Sequence, residues 1–366
     1  MIPLFKVNVP PSANTDTSLL GVLHSGYIGQ GKKVEEFEAG LGDFLQARHI
    51  LTTNCCTSAL VLALRLAGVK YGDEVISCPM TCLATTSAII QVGGVIKWAD
   101  VKEWTGLIDY KDVKEKITDK TKAIVVVCWG GEPPPDLDKF QDFGIPIIID
   151  AAQALGATFM GHPIHQFADF TCYSFGPIKH LTTGDGGAVV CSDSDYTKGR
   201  LLRWYGLDRT QSEAFRCQQD VVEIGYKFHM NDIAATIGLA GIPHIKQIIE
   251  HHRSNHIFYR NALSAHGKHC SGQVEAVGTS AWLFTMFVDE PERFKVFMAE
   301  GGVAVGQPHR RNDQNTYAEM FRVDLPNLDY FQKHYVCIPV GWWVSLGDRQ
   351  KIVEYLYEYE IAGELL

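Results

Sequence analysis

Between residues 50 and 149 the chain alternates short apolar runs with segments rich in helix formers, and this alternation restricts its fold more than any other feature. Ile50-Leu51-Thr52-Thr53 reads as a strand, Ala59 to Leu64 as a helix and Glu74-Val75-Ile76-Ser77 as a second strand. Residues 86–91 follow as a helix, 94–98 and Ala123 to Trp129 as strands, Leu137 to Phe143 as a helix and Ile145 to Ile149 as another buried strand. Uniformly apolar strands separated by helices imply parallel strands joined by crossover helices, the arrangement of a doubly covered α/β sheet. The expected class is therefore α/β, with a mostly parallel sheet in a large domain.

On either side of this block the pattern changes. The opening residues carry prolines and read as irregular up to the glycine-dense stretch Gly26-Tyr27-Ile28-Gly29-Gln30-Gly31, which can turn tightly or approach a ligand. Val34, Phe37, Leu41, Phe44 and Leu45 then recur at helical spacing, so one face of that segment packs inward. From about Pro243 come a long helix candidate, strand runs at Gln273 to Ala276 and Trp282 to Val288, a helix near 292–300, a strand at 335–338 and a last helix from Asp348. These make a smaller α+β domain. With 366 residues and a prior of ~150 per domain, two domains are expected, divided as 1–242 and 243–366.

Composition excludes several functions. The 33 basic and 42 acidic residues leave a net charge of −9, which gives no electrostatic reason to bind nucleic acid. No run of 18 apolar residues occurs, and the first residues lack a basic segment followed by a long apolar core, so a cytoplasmic protein without a membrane partner is expected. The ten cysteines are scattered through apolar runs and read as reduced, buried thiols. Cys55, Cys56, Cys78 and Cys82 lack a second paired cluster at zinc spacing, so no metal site is expected.

The chemistry concentrates between Tyr173 and Val190. A β-type run ends at a Gly176-Pro177 break, a single Lys179 follows, and the Thr/Gly-rich turn Thr182-Thr183-Gly184-Asp185-Gly186-Gly187 leads into a second apolar run. On spacing alone Lys179 is more often a solvated loop residue than a reactive one. Flanking hydroxyls, glycines that admit a ligand and apolar strands that desolvate the amine favour a reactive lysine, able to condense with a carbonyl. Asp150 closes an apolar strand at its carboxyl end, where open α/β sheets bind ligands, although a helix-capping aspartate explains it equally. The small polar residues Asn54 to Ser58 before a helix either cap it or present free amides to a phosphate.

These segments resemble those of the pyridoxal-phosphate-dependent nucleotide-sugar aminotransferases, the DegT/DnrJ/StrS group. Ser174-Phe175-Gly176-Pro177-Ile178-Lys179 with Thr182 to Gly187 is similar to the group's lysine segment, Asp150 to Ala157 to its cofactor-ring segment and Cys56 to Leu60 to its phosphate turn. Cys78 to Thr85 resembles its Pro-x-Thr-aromatic-x-Ala-Thr segment, and Ile224 to Asp232 the segment that crosses a dimer interface. The matches keep the group's order from about Gly26 to the C-terminus.

The resemblance implies a fold type I homodimer in which Lys179 holds pyridoxal 5'-phosphate and moves the proton, and Asp150 pairs with the ring nitrogen. It gives Gln153 the ring's phenolic oxygen and gives Cys56, Thr57 and Ser174 the phosphate. Cys82 stands where the group has a stacking aromatic, which leaves a thiol contact. Lys227 stands where an asparagine usually reaches the neighbouring subunit's phosphate. Tyr27, His309 and Arg310 are the expected substrate contacts, with a solvated basic turn the competing reading of Gly306 to Asp313. His180 reads as structural. The reaction implied moves an amino group from glutamate to a keto group, C4 on family frequency, of a nucleotide-linked 4-keto-6-deoxyhexose. A sugar dehydratase of the same fold has histidine in place of the lysine, so Lys179 argues against it. The joint presence of Lys179, Asp150, Gln153 and Ser174 argues against a non-catalytic sugar-nucleotide-binding regulator.

Overall fold

The computed structural model describes residues 1–9, 13–210, 218–270, 277–361 and 365–366. Helices α1 (Ala13–His24) and α2 (Lys32–Leu45) precede β1 (Ile50–Thr53). The alternation then runs α3 (Cys56–Leu66), β2 (Glu74–Ser77), α4 (Leu83–Gln91), β3 (Val95–Trp98), α5 (Tyr110–Lys116), β4 (Thr121–Val127) and β5 (Ile147–Asp150). A ribbon of β6 (Thr158–Phe159) and β7 (His162–Pro163) leads to β8 (Phe170–Ser174), β9 (Gly187–Val190), α6 (Asp193–Leu202) and α7 (Asp232–Gly241).

Seven strands form one sheet in the order β1-β9-β8-β5-β4-β2-β3. From β8 across to β3 every pairing is parallel, while β9 runs against both β8 and β1. The reversal follows from the connection. β8 and β9 are joined by one loop with no helix in it, and a parallel return needs a crossover. That loop carries Lys179. Strands β5 and β9 are buried along their whole length, as apolar runs covered on both faces must be.

Two elements differ from the sequence expectation. Residues 13–24, expected to be irregular, form α1 and pack against α7. Its leucines gave no stripe to read, because Leu20 and Leu23 are 54% and 51% exposed while Val22 between them is buried. Residues 137–143 wind into 3₁₀ turns rather than an α-helix, with Leu137 and Phe140 buried at the three-residue spacing that suits them. The strand expected at Gln273 to Ala276 lies outside the described residues. Asp232, at the start of α7, accepts hydrogen bonds from the amides of Gly31 (2.7 Å) and Val34 (3.2 Å), so it serves the amino end of α2 from a distance of some two hundred residues.

The C-terminal half comprises α8 (Ile245–Ser264), β10 (Val277–Gly278), β11 (Phe284–Phe287), α9 (Pro291–Glu300), α10 (Pro326–His334), β12 (Tyr335–Ile338) and α11 (Leu346–Ile361). β11 pairs antiparallel with β12, and β10 pairs antiparallel with β6 of the first half. Tyr259, Phe284, Met286, Phe294, Val336 and Leu356 build a second core distinct from the one around the large sheet. The amino terminus joins this second core: Ile2 donates to the Gly302 carbonyl (2.8 Å) and accepts from the Ala304 amide (2.9 Å). The two halves are tied at Asp100, beyond β3, whose carboxylate accepts from the amides of Asn327 (3.1 Å) and Leu328 (2.9 Å) at the start of α10. Among the described residues no helix is long and apolar enough to cross a membrane.

Candidate active site

The carboxyl edge of the parallel strands gathers most of the residues the sequence singled out. Asp150 ends β5 and is 4% exposed. Its Oδ2 accepts from the Thr85 hydroxyl (2.7 Å) and its Oδ1 from the Ala152 amide (3.1 Å). The Thr81 hydroxyl lies 2.7 Å from that of Thr85. Because Thr85 gives its one hydroxyl hydrogen to the carboxylate, Thr81 is the donor between the two threonines. Burial raises the Asp150 carboxyl above the ordinary aspartate range, against the pull of Thr85, Ala152 and the charge on Lys179. Neither threonine was assigned a role from sequence. Both lie inside the Cys78 to Thr85 segment, but the carboxylate that Thr85 bonds is 65 residues further on.

Lys179 sits in the β8–β9 loop, its amide bonded to the Gly176 carbonyl (3.1 Å) and its Nζ 3.9 Å from the centre of the Trp282 ring. Part of the side chain remains exposed, yet the amine is desolvated. Burial lowers its pKa below the usual lysine value, opposed by the charge on Asp150. Lys179 and Asp150 thus act on each other through space without meeting in an ion pair. Cys82 caps α4 with an exposed side chain on the same side of the site.

Beside them opens the amino end of α3. Cys56 and Thr57 are its first two helical residues, whose amides have no partner within the helix, and Cys55 caps it by accepting from the Ser58 amide. Gly187 of β9 lies against this turn so closely that a Cβ there would meet the Cys55 carbonyl carbon and the Cys56 nitrogen at 2.6 Å. Burial pushes the Cys56 thiol well above its ordinary value, so it remains a neutral thiol and the turn's contribution comes from its backbone. The half-buried Ser174 closes β8 and accepts from the Gly176 amide at 3.4 Å.

Gln153 follows Asp150 by one turn. Its Oε1 accepts from the Gly130 amide (2.7 Å), and its Nε2 lies 3.3 Å from His309 Nε2. Since Nε2 of the glutamine can only donate, the histidine nitrogen facing it is unprotonated. Burial, and then the charge on Lys179, push His309 down to about 4, which agrees with a neutral ring. The structure therefore brings His309 to the same cluster as Lys179 and Gln153. Arg310, its neighbour, points away and is exposed on a surface depression of about 510 Å³ that it shares with Arg322 and Asp324. Arg311 is buried and spent on Asp313 and Asp329.

Two other residues are exposed at the surface. Tyr27 is exposed, its hydroxyl donating to the Gln30 carbonyl (3.0 Å) and accepting from Arg209 Nη2 (3.3 Å). Lys227 is exposed on a strand-like segment whose Phe228 carbonyl accepts from the Asn54 amide (2.7 Å), beside the α3 turn. His180 is buried with Nε2 3.0 Å from the Ser280 carbonyl, and burial together with His252 holds its pKa well below the ordinary value, so it stays neutral. The structural reading of His180 is the one its packing supports.

A mostly parallel sheet with a desolvated lysine and a buried carboxylate at its carboxyl edge is the frame of a coenzyme-dependent transferase. The chain belongs to the DegT/DnrJ/EryC1/StrS aminotransferase family, whose model matches residues 12–357. The solved sugar aminotransferase CalS13 from Micromonospora echinospora is 34% identical and superposes with a TM-score of 0.91 over 98% of this chain and 100% of its own. GDP-perosamine synthase of Vibrio cholerae is 31% identical over 79% of this chain and 78% of its own length. The UDP-4-amino-4-deoxy-L-arabinose–oxoglutarate aminotransferase of Shewanella sediminis is 34% identical over 69% of this chain and 66% of its length. The chain is accordingly a sugar aminotransferase, and the enzymes of this family depend on pyridoxal phosphate.

The residues present fit that coenzyme. An open helix amino end backed by a glycine where no side chain could stand suits a phosphate. A buried carboxylate with an amine held off it suits a cationic ring nitrogen at one end and a carbonyl at the other.

Proposed function

We propose that this protein is a homodimeric, cytoplasmic, pyridoxal-phosphate-dependent aminotransferase that moves an amino group from glutamate to the C4 keto group of a nucleotide-linked 4-keto-6-deoxyhexose. The observation that carries the reading is the pairing of a desolvated Lys179 with a buried Asp150 beside the amino end of α3. Relatives named for a UDP-linked 4-amino sugar and for GDP-perosamine support the substrate class. The oxoglutarate in one of those names is the keto acid that remains when glutamate gives up its amino group. The exposed apolar residues Leu20, Leu23, Tyr27 and Ile28 support a second copy as the partner.

Pyridoxal phosphate, when bound, supplies a carbonyl that carries the amino group and an electron-poor ring that stabilises negative charge at the donor's α-carbon. Lys179 would hold the carbonyl carbon at its Nζ. Released by the incoming donor, its amine, poised below the ordinary lysine value, would take the α-proton and deliver it one position away. Asp150, kept ionised by Thr85 and by the positive charge opposite it, would hold a proton on the ring nitrogen. Gln153 would hydrogen-bond the phenolic oxygen, with neutral His309 behind it. The amides of Cys56 and Thr57, the Thr57 and Ser174 hydroxyls and the partner subunit's Lys227 would hold the phosphate. Cys82 would lie against the ring face, and His309, rather than the outlying Tyr27 and Arg310, would meet the substrate. Donor and acceptor would use one site in turn, giving ping-pong kinetics.

Purified protein with the coenzyme should absorb near the visible edge, lose that band in Lys179→Ala, and bleach it with glutamate. Protein that shows no such band, or a band indifferent to glutamate, rules out the reading. Turnover against a panel of 4-keto-6-deoxy sugar nucleotides, followed by dimer mass in solution, fixes the remaining terms.

A further inference from the structure

The loop that presents Lys179 is gripped from the other half of the molecule at the residues on both sides of the lysine. The Ile178 carbonyl accepts from the Trp282 indole Nε1 (3.0 Å), and His180 Nε2 donates to the Ser280 carbonyl (3.0 Å). The tripeptide Ser280-Ala281-Trp282 is itself pinned. His252 Nδ1 donates to the Ala281 carbonyl (2.9 Å), Ser280 Oγ donates to the Gln153 carbonyl (2.7 Å), and the amides of Ser280 and Leu283 donate to Gly131 (3.0 Å) and Gly130 (3.1 Å). Ala281 takes the left-handed conformation, φ 54°, which an alanine adopts only where its surroundings force it. The result of that turn is to lay the Trp282 ring over the lysine amine, with Phe5 stacked against the same ring at 5.0 Å.

We propose that Trp282 is the positioning residue of Lys179, fixing the backbone ahead of the lysine through its indole N–H and shielding the amine with its ring. The inference rests on Lys179 being the reacting amine. The charged group that favours the ammonium is Asp150; the thiols of Cys56 and Cys82 also face the amine, as do His180 and His309, whose own protonation its charge opposes. Desolvation outweighs that attraction, so water exclusion governs the amine. Full burial moves a lysine by up to ~3–5 pK units, more than a ring laid over the cation typically restores. Removing the ring therefore moves the amine up, toward ordinary lysine behaviour.

The test has two arms. In the first, competitive acetylation of the coenzyme-free protein across pH, with the Lys179 peptide quantified by mass spectrometry, reads the amine without calling on catalysis. Wild type should titrate below the exposed lysines, Trp282→Ala should titrate at least about one unit higher than wild type, and Trp282→Phe should stay within about half a unit. In the second arm, holoenzyme Trp282→Phe, which keeps a ring and loses the indole N–H, should lose kcat by about 5- to 20-fold while the KM for glutamate changes less than about threefold. An unmoved Lys179 titration in folded Trp282→Ala overturns the proposal, and so does a Trp282→Phe kcat within twofold of wild type. Should Trp282→Ala fail to fold, judged by circular dichroism, the Phe arm decides alone. Absence of turnover in wild type would instead count against the aminotransferase reading, which leaves the acetylation arm intact.

Discussion

The Thr85 hydroxyl offers a direct way to weigh the buried carboxylate. Thr85→Val keeps the shape of the side chain and removes the donor 2.7 Å from Asp150 Oδ2, leaving the carboxylate with the Ala152 amide at 3.1 Å and the more distant charge on Lys179. A hydrogen bond to a buried charge contributes about 1.5–3 kcal/mol, and 1.36 kcal/mol corresponds to one pK unit, so Asp150 should rise by a further ~1–2 units. Since burial already holds this carboxyl above its usual range, the added rise carries it toward neutrality. The acid limb of the kcat–pH profile should move up by the same ~1–2 units, so that kcat falls by up to about 10- to 100-fold on that limb and the deficit narrows as pH increases. Thr85→Ser, which keeps the hydroxyl, should lie close to wild type. The assay is steady-state turnover with glutamate from pH 5.5 to 9, with melting curves as the control for folding. A Thr85→Val profile that superposes on that of wild type would refute the claim that this hydroxyl sustains the charge.

Three further outcomes are expected. Asp150→Asn should cost at least about 100-fold in turnover while circular dichroism and melting stay unchanged, because an amide cannot balance a cation; near-normal turnover would remove Asp150 from the ring's partner role. Gly187→Ala places a Cβ 2.6 Å from the backbone at the start of α3, so that turn must shift and coenzyme affinity should drop about tenfold or more in an absorbance titration; an unchanged affinity would mean the phosphate lies elsewhere. His309, held down to about 4 in the fold against 6.5 unfolded, adds stability that is complete above pH 6.5 and is lost as pH falls through about 4. Urea denaturation of the coenzyme-free protein should therefore show on the order of 3 kcal/mol less pH dependence over that window in His309→Gln, and identical slopes would contradict a neutral buried ring.

How much of this could be read from the residues depends on distance along the chain. The strand that ends in Asp150 announces itself because apolar residues stop at a carboxylate, and Lys179 stands out as one cation between a Gly-Pro break and a glycine turn. Gln153 lies within a turn of Asp150 and came with it. Trp282 reaches Lys179 from more than a hundred residues away through a left-handed alanine, and no local spacing encodes that meeting. Thr85 and Thr81 were visible as polar residues ahead of a helix, but only the fold shows that their hydroxyls line up on a carboxylate. The reversal of β9 was equally silent, since an apolar run carries no direction. Helix α1 escaped because Leu20 and Leu23 face outward and leave no apolar stripe.

The amino terminus has a consequence for how the two halves can be handled. Ile2 bridges to Val303, the Pro3 carbonyl accepts from the Trp343 indole at 2.8 Å, and Phe5 backs the ring over Lys179, so the first few residues are stitched into the structure farthest from them in sequence. The smaller lobe is thus discontinuous. A fragment cut at residue 242 would lack a strand-like edge and leave one indole face bare, and a blemish at the extreme amino end would be felt at the Lys179 amine before it was felt in the large sheet.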